Sequence, residues 1–183
     1  MMKTATPIGQ YAPDFELPDT TGSVHHLARY LENGKAVVVV ILSNHSPGGH
    51  AYLEELNALQ TEFSPQGLAV VGINGNDDVQ RPDDSYAHMK LFAQQQALNF
   101  PYLRDMTQDV VRTFGAEKTP EAFLLDATGK IQYAGAIYSP SASSSPFKTP
   151  LREAIAQLLS SHSITVPITA VDGCPILWRK PSK

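Results

Sequence analysis

The chain has 183 residues, a net charge of −4 and a single cysteine. This length suits one domain with a full hydrophobic core. The mildly negative charge, with no basic block before the final Arg-Lys-Pro-Ser-Lys, gives no electrostatic support for nucleic-acid binding. A solitary cysteine excludes an internal disulfide and a cysteine-based zinc site.

No membrane or export segment is evident. The apolar run at residues 36–42 is far too short to cross a bilayer. The N-terminal stretch has one lysine but no apolar core after it, unlike a secretory signal. We therefore expect a cytoplasmic protein with no membrane partner.

The first half of the chain alternates predicted strands and helices. An extended, proline-bounded segment and a turn at 12–22 precede a short helix at 25–31. Residues 37–43 form a strand that is almost wholly apolar, which is typical of a central strand covered on both faces. Apolar residues at helical spacing predict a helix at 50–63, and residues 67–74 form the next buried strand.

A polar loop follows, and it contains four aspartates. We expect these side chains to be solvated, with Asp83 or Asp84 capping the helix at 85–98. A calcium site is not expected, because the glutamate of an EF-hand is missing. The four aspartates are Asp77, Asp78, Asp83 and Asp84.

The pattern changes after a short strand at 100–105 and a helix between Thr107, a potential cap, and Gly115. Residues 121–137 predict a β-hairpin around an Asp-Ala-Thr-Gly turn. A flexible loop and a last helix at 147–162 follow. A sheet that begins parallel and ends antiparallel, covered by helices, is an α/β sandwich. We expect one domain over 1–183, with 161–183 an irregular extension packed on it around one apolar cluster.

The turn at residues 43–50 lies where α/β proteins place their chemistry, between a strand and a helix. It holds no cysteine, no acid and no Gly-x-Gly-x-x-Gly. Its eight residues are Ser43, Asn44, His45, Ser46, Pro47, Gly48, Gly49 and His50.

Several short motifs together resemble the thioredoxin-like superfamily, in its peroxiredoxin-like redoxin (alkyl hydroperoxide reductase and thiol-specific antioxidant) branch. They are APDFELPDTTG, ILSNHSP, INGND, FPYLRD, the pair Thr119-Pro120 and GCPILW, in the expected order over nearly the whole chain. The resemblance implies a thioredoxin-like three-layer sandwich with a mixed central sheet and helices on both faces. It also implies thiol oxidoreductase or antioxidant activity, and a cis Pro120 facing the active site.

The departures from this family fall on its functional positions. Similar redoxins carry Cys-x-x-Cys where this chain has Ser43 and Ser46, and often a cysteine where it has Lys118. Alignment to true peroxiredoxins instead places Gly49 at the reactive cysteine. Peroxiredoxins also need an arginine beside that cysteine, near the strand after the Thr-Pro pair, and no arginine occurs here between Arg112 and Arg152. Thiol–disulfide exchange needs a thiolate and a second sulfur, which hydroxyls cannot replace.

We therefore predict a redox-inactive binding module. Its ligand would be a protein, a peptide or a small anion, and Lys118 would favour negative charge. The predicted groove consists of Asn44, His45, Pro47, Gly48, Gly49, Lys118, Thr119 and Pro120, beside the two serines. No cofactor is implied, and a homodimer is a further expectation from the family.

Two alternatives stay open, and two others are disfavoured. Cys174 could serve as a one-cysteine peroxide or disulfide reductase, although a buried, inert thiol beside Ile176 and Trp178 is the default expectation. The serines could also be engineered replacements in an active enzyme. Ser46 is preferred as a helix cap over a hydrolytic nucleophile, because no Gly-x-Ser-x-Gly elbow is present. A metal site is not expected from His25, His26, His45 and His50.

Overall fold

The computed structural model describes residues 8–45, 50–138 and 149–181. Its strands are β1 (Glu16–Pro18), β2 (Val24–His26), β3 (Ala36–Ile41), β4 (Leu68–Asn74), β5 (Tyr102–Arg104), β6 (Lys118–Thr119), β7 (Glu121–Asp126), β8 (Ile131–Gly135) and β9 (Cys174–Pro175). Its helices are α1 (Leu27–Asn33), α2 (Ala51–Phe63), α3 (Tyr86–Gln95), α4 (Asp109–Phe114) and α5 (Pro150–Leu159).

Five strands form the central sheet in the order β5-β4-β3-β7-β8. β3 runs parallel to β4, and β4 runs parallel to β5. β7 is antiparallel to both β3 and β8, and Ile41 pairs with Glu121 at one end of the β3–β7 ladder. The predicted change from a parallel to an antiparallel sheet is confirmed.

The central strand β3 divides the core into two apolar layers. All six of its residues are at most 1% exposed. Val38 and Val40 face one layer, which is covered by residues of α2, α3 and α5. Val37, Val39 and Ile41 face the other, which includes residues of α1 and α4. Helices therefore cover both faces, and the thioredoxin-like sandwich is confirmed.

The segment before β3 differs from the prediction. The two histidines expected at the start of a helix lie in β2, which pairs with β1 so that His26 is opposite Glu16. Helix α1 begins after them, at Leu27, whose side chain is buried in the second layer. The expected helix began two residues too early, because its first two residues take part in cross-strand pairing, which is not a local signal.

The C-terminal segment is more ordered than an irregular tail. β9 pairs antiparallel with β6, placing Cys174 opposite Thr119 and Pro175 opposite Lys118. Ile176 and Trp178 join the second apolar layer, as the predicted cluster required. Cys174 itself is only half-buried, so the expectation of a buried thiol is wrong. The division into a single domain with an extension at 161–183 stays a prediction.

Candidate functional site

The candidate site lies where the carboxyl ends of three parallel strands meet. Ser43 follows β3, Asn74 ends β4 and Arg104 ends β5. Open α/β sheets bind ligands outside the carboxyl ends of their strands. Each of these three side chains is nevertheless buried, at 2%, 0% and 2% exposure respectively.

Ser43 is tied to a carboxylate rather than open to a ligand. Its hydroxyl lies 3.1 and 2.9 Å from Asp84 Oδ1 and Oδ2. The backbone N–H of Asn44 donates to Asp84 Oδ1 at 2.7 Å. In turn, Ser43 Oγ accepts from the backbone N–H of His45 at 3.1 Å. The hydroxyl proton is therefore directed into the carboxylate.

Asp84 is the centre of this network and is 0% exposed. Besides the bonds from Ser43 and Asn44, Asp84 accepts hydrogen bonds from the side-chain amide nitrogens of Asn74 at 2.9 Å and Asn76 at 2.8 Å. Donors on both oxygens match the acceptor-only chemistry of an ionised carboxylate. The expectation that this loop is solvated is wrong for Asp84 and also for Asp77, which is 3% exposed.

Tyr102 closes one side of the network. Its hydroxyl donates to Asn44 Oδ1 at 2.8 Å and accepts from Asn74 Nδ2 at 3.0 Å. Burial and then the nearby Asp84 charge raise the pKa of Tyr102 well above its usual value of 10.0. The side chain therefore acts as a neutral donor rather than as a phenolate.

Arg104 supplies positive charge beside the network. Its Nη1 lies 3.4 Å from Asn74 Oδ1 and 3.3 Å from the backbone oxygen of Asp84. Its Nη2 lies 3.5 Å from the Asp78 carboxylate, and its Nε has no partner within the described residues. A cation at this position offsets part of the cost of burying Asp84 as an anion.

Helix α3 is capped by neither predicted aspartate. Ser85 is its N-cap, and Ser85 Oγ accepts from the backbone N–H of His88 at 3.4 Å. Asp83 is exposed, and its backbone oxygen accepts from Asn44 Nδ2 at 2.7 Å. Because the Asp84 side chain points inward to Ser43, the following residue, Ser85, caps the helix instead.

Thr119 and Pro120 lie at the same end of the sheet as Ser43, because Ile41 pairs with Glu121. The bond between them is cis, as predicted. Thr119 is 2% exposed, and its hydroxyl has no hydrogen-bond partner among the residues that the structure describes. Lys118 Nζ donates to the backbone oxygen of Val171 at 3.2 Å, which ties its charge to the C-terminal segment.

The remaining turn residues are only partly placed. Ser46, Pro47, Gly48 and Gly49 lie outside the described residues, so their predicted roles in capping and binding stay predictions. His50 is the N-cap of α2 and makes no side-chain cap bond. Its ring packs edge-on against Phe92 at 5.5 Å, and its Nδ1 is buried with no partner in the described part of the chain.

Among the four histidines considered as metal ligands, His25 has hydrogen-bond partners of its own. His25 lies between the Asp19 carboxylate at 2.8 Å and the Tyr30 hydroxyl at 2.6 Å. Across residues 8–45, 50–138 and 149–181, no three His, Cys, Asp or Glu side chains form a group that could hold a metal ion.

Over the same ranges, no helix is long and apolar enough to span a membrane. A cytoplasmic location stays a prediction.

The five-stranded mixed sheet, its two helical layers and the cis Pro120 opposite the β3 turn define a thioredoxin-like protein. The AhpC/TSA family model matches residues 8–134. The chain therefore belongs to the AhpC/TSA family, as its motifs indicated.

Known relatives agree with this assignment. The chain is 29% identical to the thiol-disulfide oxidoreductase ResA of Geobacillus thermodenitrificans, over 71% of this chain and 70% of that protein. It is 31% identical to a candidate peroxiredoxin, bcp, of Helicobacter pylori, over 60% of this chain and 66% of that protein. An uncharacterized conserved protein from Geobacillus kaustophilus has the same fold, with a TM-score of 0.89, 31% identity and coverage of 98% and 96% of the two chains. The family is thus that of thiol-disulfide oxidoreductases and peroxiredoxin-like redoxins.

Ser43, Thr119 and Pro120 lie at one edge of the sheet, as the motifs implied, but the sequence did not predict the network beneath them. The missed residues are Asn74, Asn76, Asp84, Tyr102 and Arg104. One available signal was the Ile-Asn-Gly-Asn-Asp stretch, in which amides directly follow a buried strand. Such amides at a strand end need partners in the interior.

Proposed function

We propose that this redoxin does not exchange disulfides at the turn after β3 and instead serves as a module that binds a protein or peptide. The observation that carries the proposal is the hydrogen bond from the Ser43 hydroxyl to Asp84, at 2.9 Å. It fixes oxygen where similar redoxins have sulfur and places a carboxylate beside it.

The chemistry of this pair opposes nucleophilic attack. A hydroxyl is several units less acidic than a thiol, and a helix N-terminus lowers an acid's pKa too little to close that difference. Moreover, a neighbouring carboxylate disfavours a second negative charge on Ser43 Oγ. Serine also cannot form the sulfur bridge on which exchange depends.

The site favours a peptide over a small anion. The buried Asp84 carboxylate repels negative charge, the Arg104 guanidinium that offsets it is only 2% exposed, and the Lys118 amine is held at the Val171 oxygen. What remains is the strand edge of β6, which β9 now pairs with, and the adjacent proline, and such an edge suits an extended chain. The prediction of an anionic ligand is accordingly the weaker of the two.

Insulin-reduction and peroxide-consumption assays test the proposal. The wild-type chain should show no turnover, whereas a Ser43→Cys/Ser46→Cys variant should gain activity. Adding Asp84→Asn to that variant should raise the activity further, because the repelling charge is removed. Wild-type turnover that persists in a Cys174→Ala variant would contradict the proposal.

One observation favours a second candidate, a peroxide reductase that uses Cys174. Cys174 is half-buried, and its backbone pairs directly opposite Thr119, the residue before Pro120. In that reaction the thiolate attacks one peroxide oxygen, the O–O bond breaks, hydroxide leaves and a sulfenic acid forms. Mass spectrometry after peroxide treatment should then find the sulfenic acid in the folded protein. With an external thiol added to reduce the sulfenic acid back to the thiol and water, peroxide turnover should occur and Cys174→Ala should abolish it. A thiol that reacts only after unfolding excludes this candidate.

A further inference from the structure

The edge of β6, beside the cis Pro120, is already occupied by the chain's own C-terminal segment. We call residues 173–179 the C-terminal strap. Thr119 pairs antiparallel with Cys174, and Lys118 pairs with Pro175. The backbone N–H of Ile176 continues the contact by donating to the Glu117 oxygen at 2.9 Å. An extended segment therefore lies on the edge that a peptide partner would use.

Side chains beside the site hold the backbone of the strap. Asn76 Oδ1 accepts from the Leu177 N–H at 2.9 Å, and Gln108 Nε2 donates to the Leu177 oxygen at 2.9 Å. Gln80 Nε2 donates to the Trp178 oxygen at 2.7 Å. Because these bonds recognise main-chain groups, they do not depend on the identity of the bound residues.

Three positions of the strap are selected by shape. A Cβ added at Gly173 would lie 2.4 Å from the Thr119 oxygen, so no larger residue fits there without movement. Ile176 is 4% exposed in the second apolar layer. The Trp178 ring lies under the Arg112 guanidinium, 4.6 Å from its Cζ. The surface thus selects glycine, then an aliphatic residue three positions later, then an aromatic residue two further on.

The strap is also joined to the candidate site by hydrogen bonds. Asn76 is 2% exposed and donates to Asp84 Oδ2 at 2.8 Å, while its other amide atom accepts from Leu177. Asp84 in turn accepts from Ser43. A continuous chain of contacts therefore runs from the turn after β3 to the strap.

We propose that the β6 edge is a docking surface for an extended peptide of a partner protein, and that the C-terminal strap occupies it until such a peptide replaces it. The peptide would carry the same glycine, aliphatic and aromatic anchors. This inference rests on the binding role proposed above and names its partner class. The strap contributes only a two-residue strand, and that strand lies outside the five-stranded central sheet, so its release leaves the central sheet intact.

Two full-length variants test the exchange from opposite directions. Gly173→Ala introduces the contact with Thr119, and Ile176→Ala/Trp178→Ala empties the two side-chain positions. Asp172→Ala is the matched control, because Asp172 is exposed and precedes the strap. The probe is a fluorescent peptide of residues 171–179 with serine for Cys174, beside a peptide lacking the three anchors.

Fluorescence anisotropy should show that both variants bind the probe at least about tenfold more tightly than wild type or Asp172→Ala, because the tethered strap competes at a high local concentration. Neither should bind the anchor-less peptide. Hydrogen exchange at Ile176 and Leu177 should rise in the variants while β3 stays protected.

Absent probe binding by both variants overturns the proposal, whether or not exchange at the strap increases. Dimerisation of the variants without probe binding also overturns it, in favour of strap exchange between copies. These outcomes are separate from the thiol assays, which test only redox inactivity.

Discussion

Ser43 and Asp84 are 41 residues apart in sequence and joined by a hydrogen bond of 2.9 Å in the protein interior. The pair links the turn after β3 to the loop before α3. It also explains why a serine is stable at a position where similar redoxins have cysteine. The carboxylate accepts a hydrogen bond from a neutral hydroxyl, but it would repel the negative charge of a thiolate at the same position.

Asp84→Asn should destabilise the fold. The NH2 group of the asparagine would face one of the hydrogen-bond donors that Asp84 now accepts, and both buried donors would then lack an acceptor. We expect a loss of about 1–3 kcal/mol in the free energy of unfolding. Urea denaturation checks this, with Asp83→Asn as the exposed control, whose change should stay within about 0.5 kcal/mol. Equal effects of the two substitutions would mean that Asp84 does not hold the turn.

Ser43→Cys in a Cys174→Ala background should give a thiol with a pKa above the usual value of about 8.5, because burial and Asp84 both oppose the thiolate. Thiolate absorbance against pH measures this without requiring reagent access. Adding Asp84→Asn should lower the midpoint by about one unit or more. A midpoint below the usual value, or one that Asp84→Asn does not move, contradicts the electrostatic argument.

The sequence was sufficient for the elements whose signals are local. The apolar run of β3, the helical spacing of Leu53, Leu56 and Leu59 in α2 and the turn at Asp126 each follow from neighbouring residues. The order of these elements along the chain predicted the change from a parallel to an antiparallel sheet. The cis Pro120 came from family resemblance rather than from any local signal.

The buried network could not be predicted because it depends on long-range placement. Four aspartates in one polar loop look equally solvated, yet Asp84 is 0% exposed while Asp83 is exposed. The difference arises from the short 3₁₀ turn Pro82–Asp84, which packs against residues that follow β3 and β4. Similarly, β9 is a strand only because β6 lies beside it. A strand of two residues is too short to show the alternating pattern from which strands are predicted.

Gly72→Ala should strain the core behind the site. A Cβ there would lie 2.8 Å from Leu42 Cδ1 and 3.2 Å from ring atoms of both Phe100 and Tyr102. Overpacking of this kind costs about 1–3 kcal/mol. Thermal or urea unfolding measures the loss. The double variant Gly72→Ala/Leu42→Val removes the closest atom, so its loss should be smaller than the sum of the two single losses. Strict additivity would show that Leu42 is not the obstructing side chain.

Asp126 should make stability depend on pH in the acid range. Burial acts to raise its pKa, but hydrogen bonds from Thr128, Lys130 and Gln132 outweigh burial and lower the pKa from 3.8. Because the folded pKa is depressed, the stabilisation is present above 3.8 and is lost as the pH falls through the lower, folded value.

Asp126→Asn removes this titration while keeping an acceptor for the turn. Urea unfolding at about pH 5 and about pH 2.5 should show a smaller acid-induced loss for the variant than for wild type. The other carboxylates titrate in both proteins, so the difference between the two losses isolates Asp126. Identical losses would mean that the bonds from Thr128 and Gln132 do not favour the ionised form, and that the hairpin turn is held by its backbone alone.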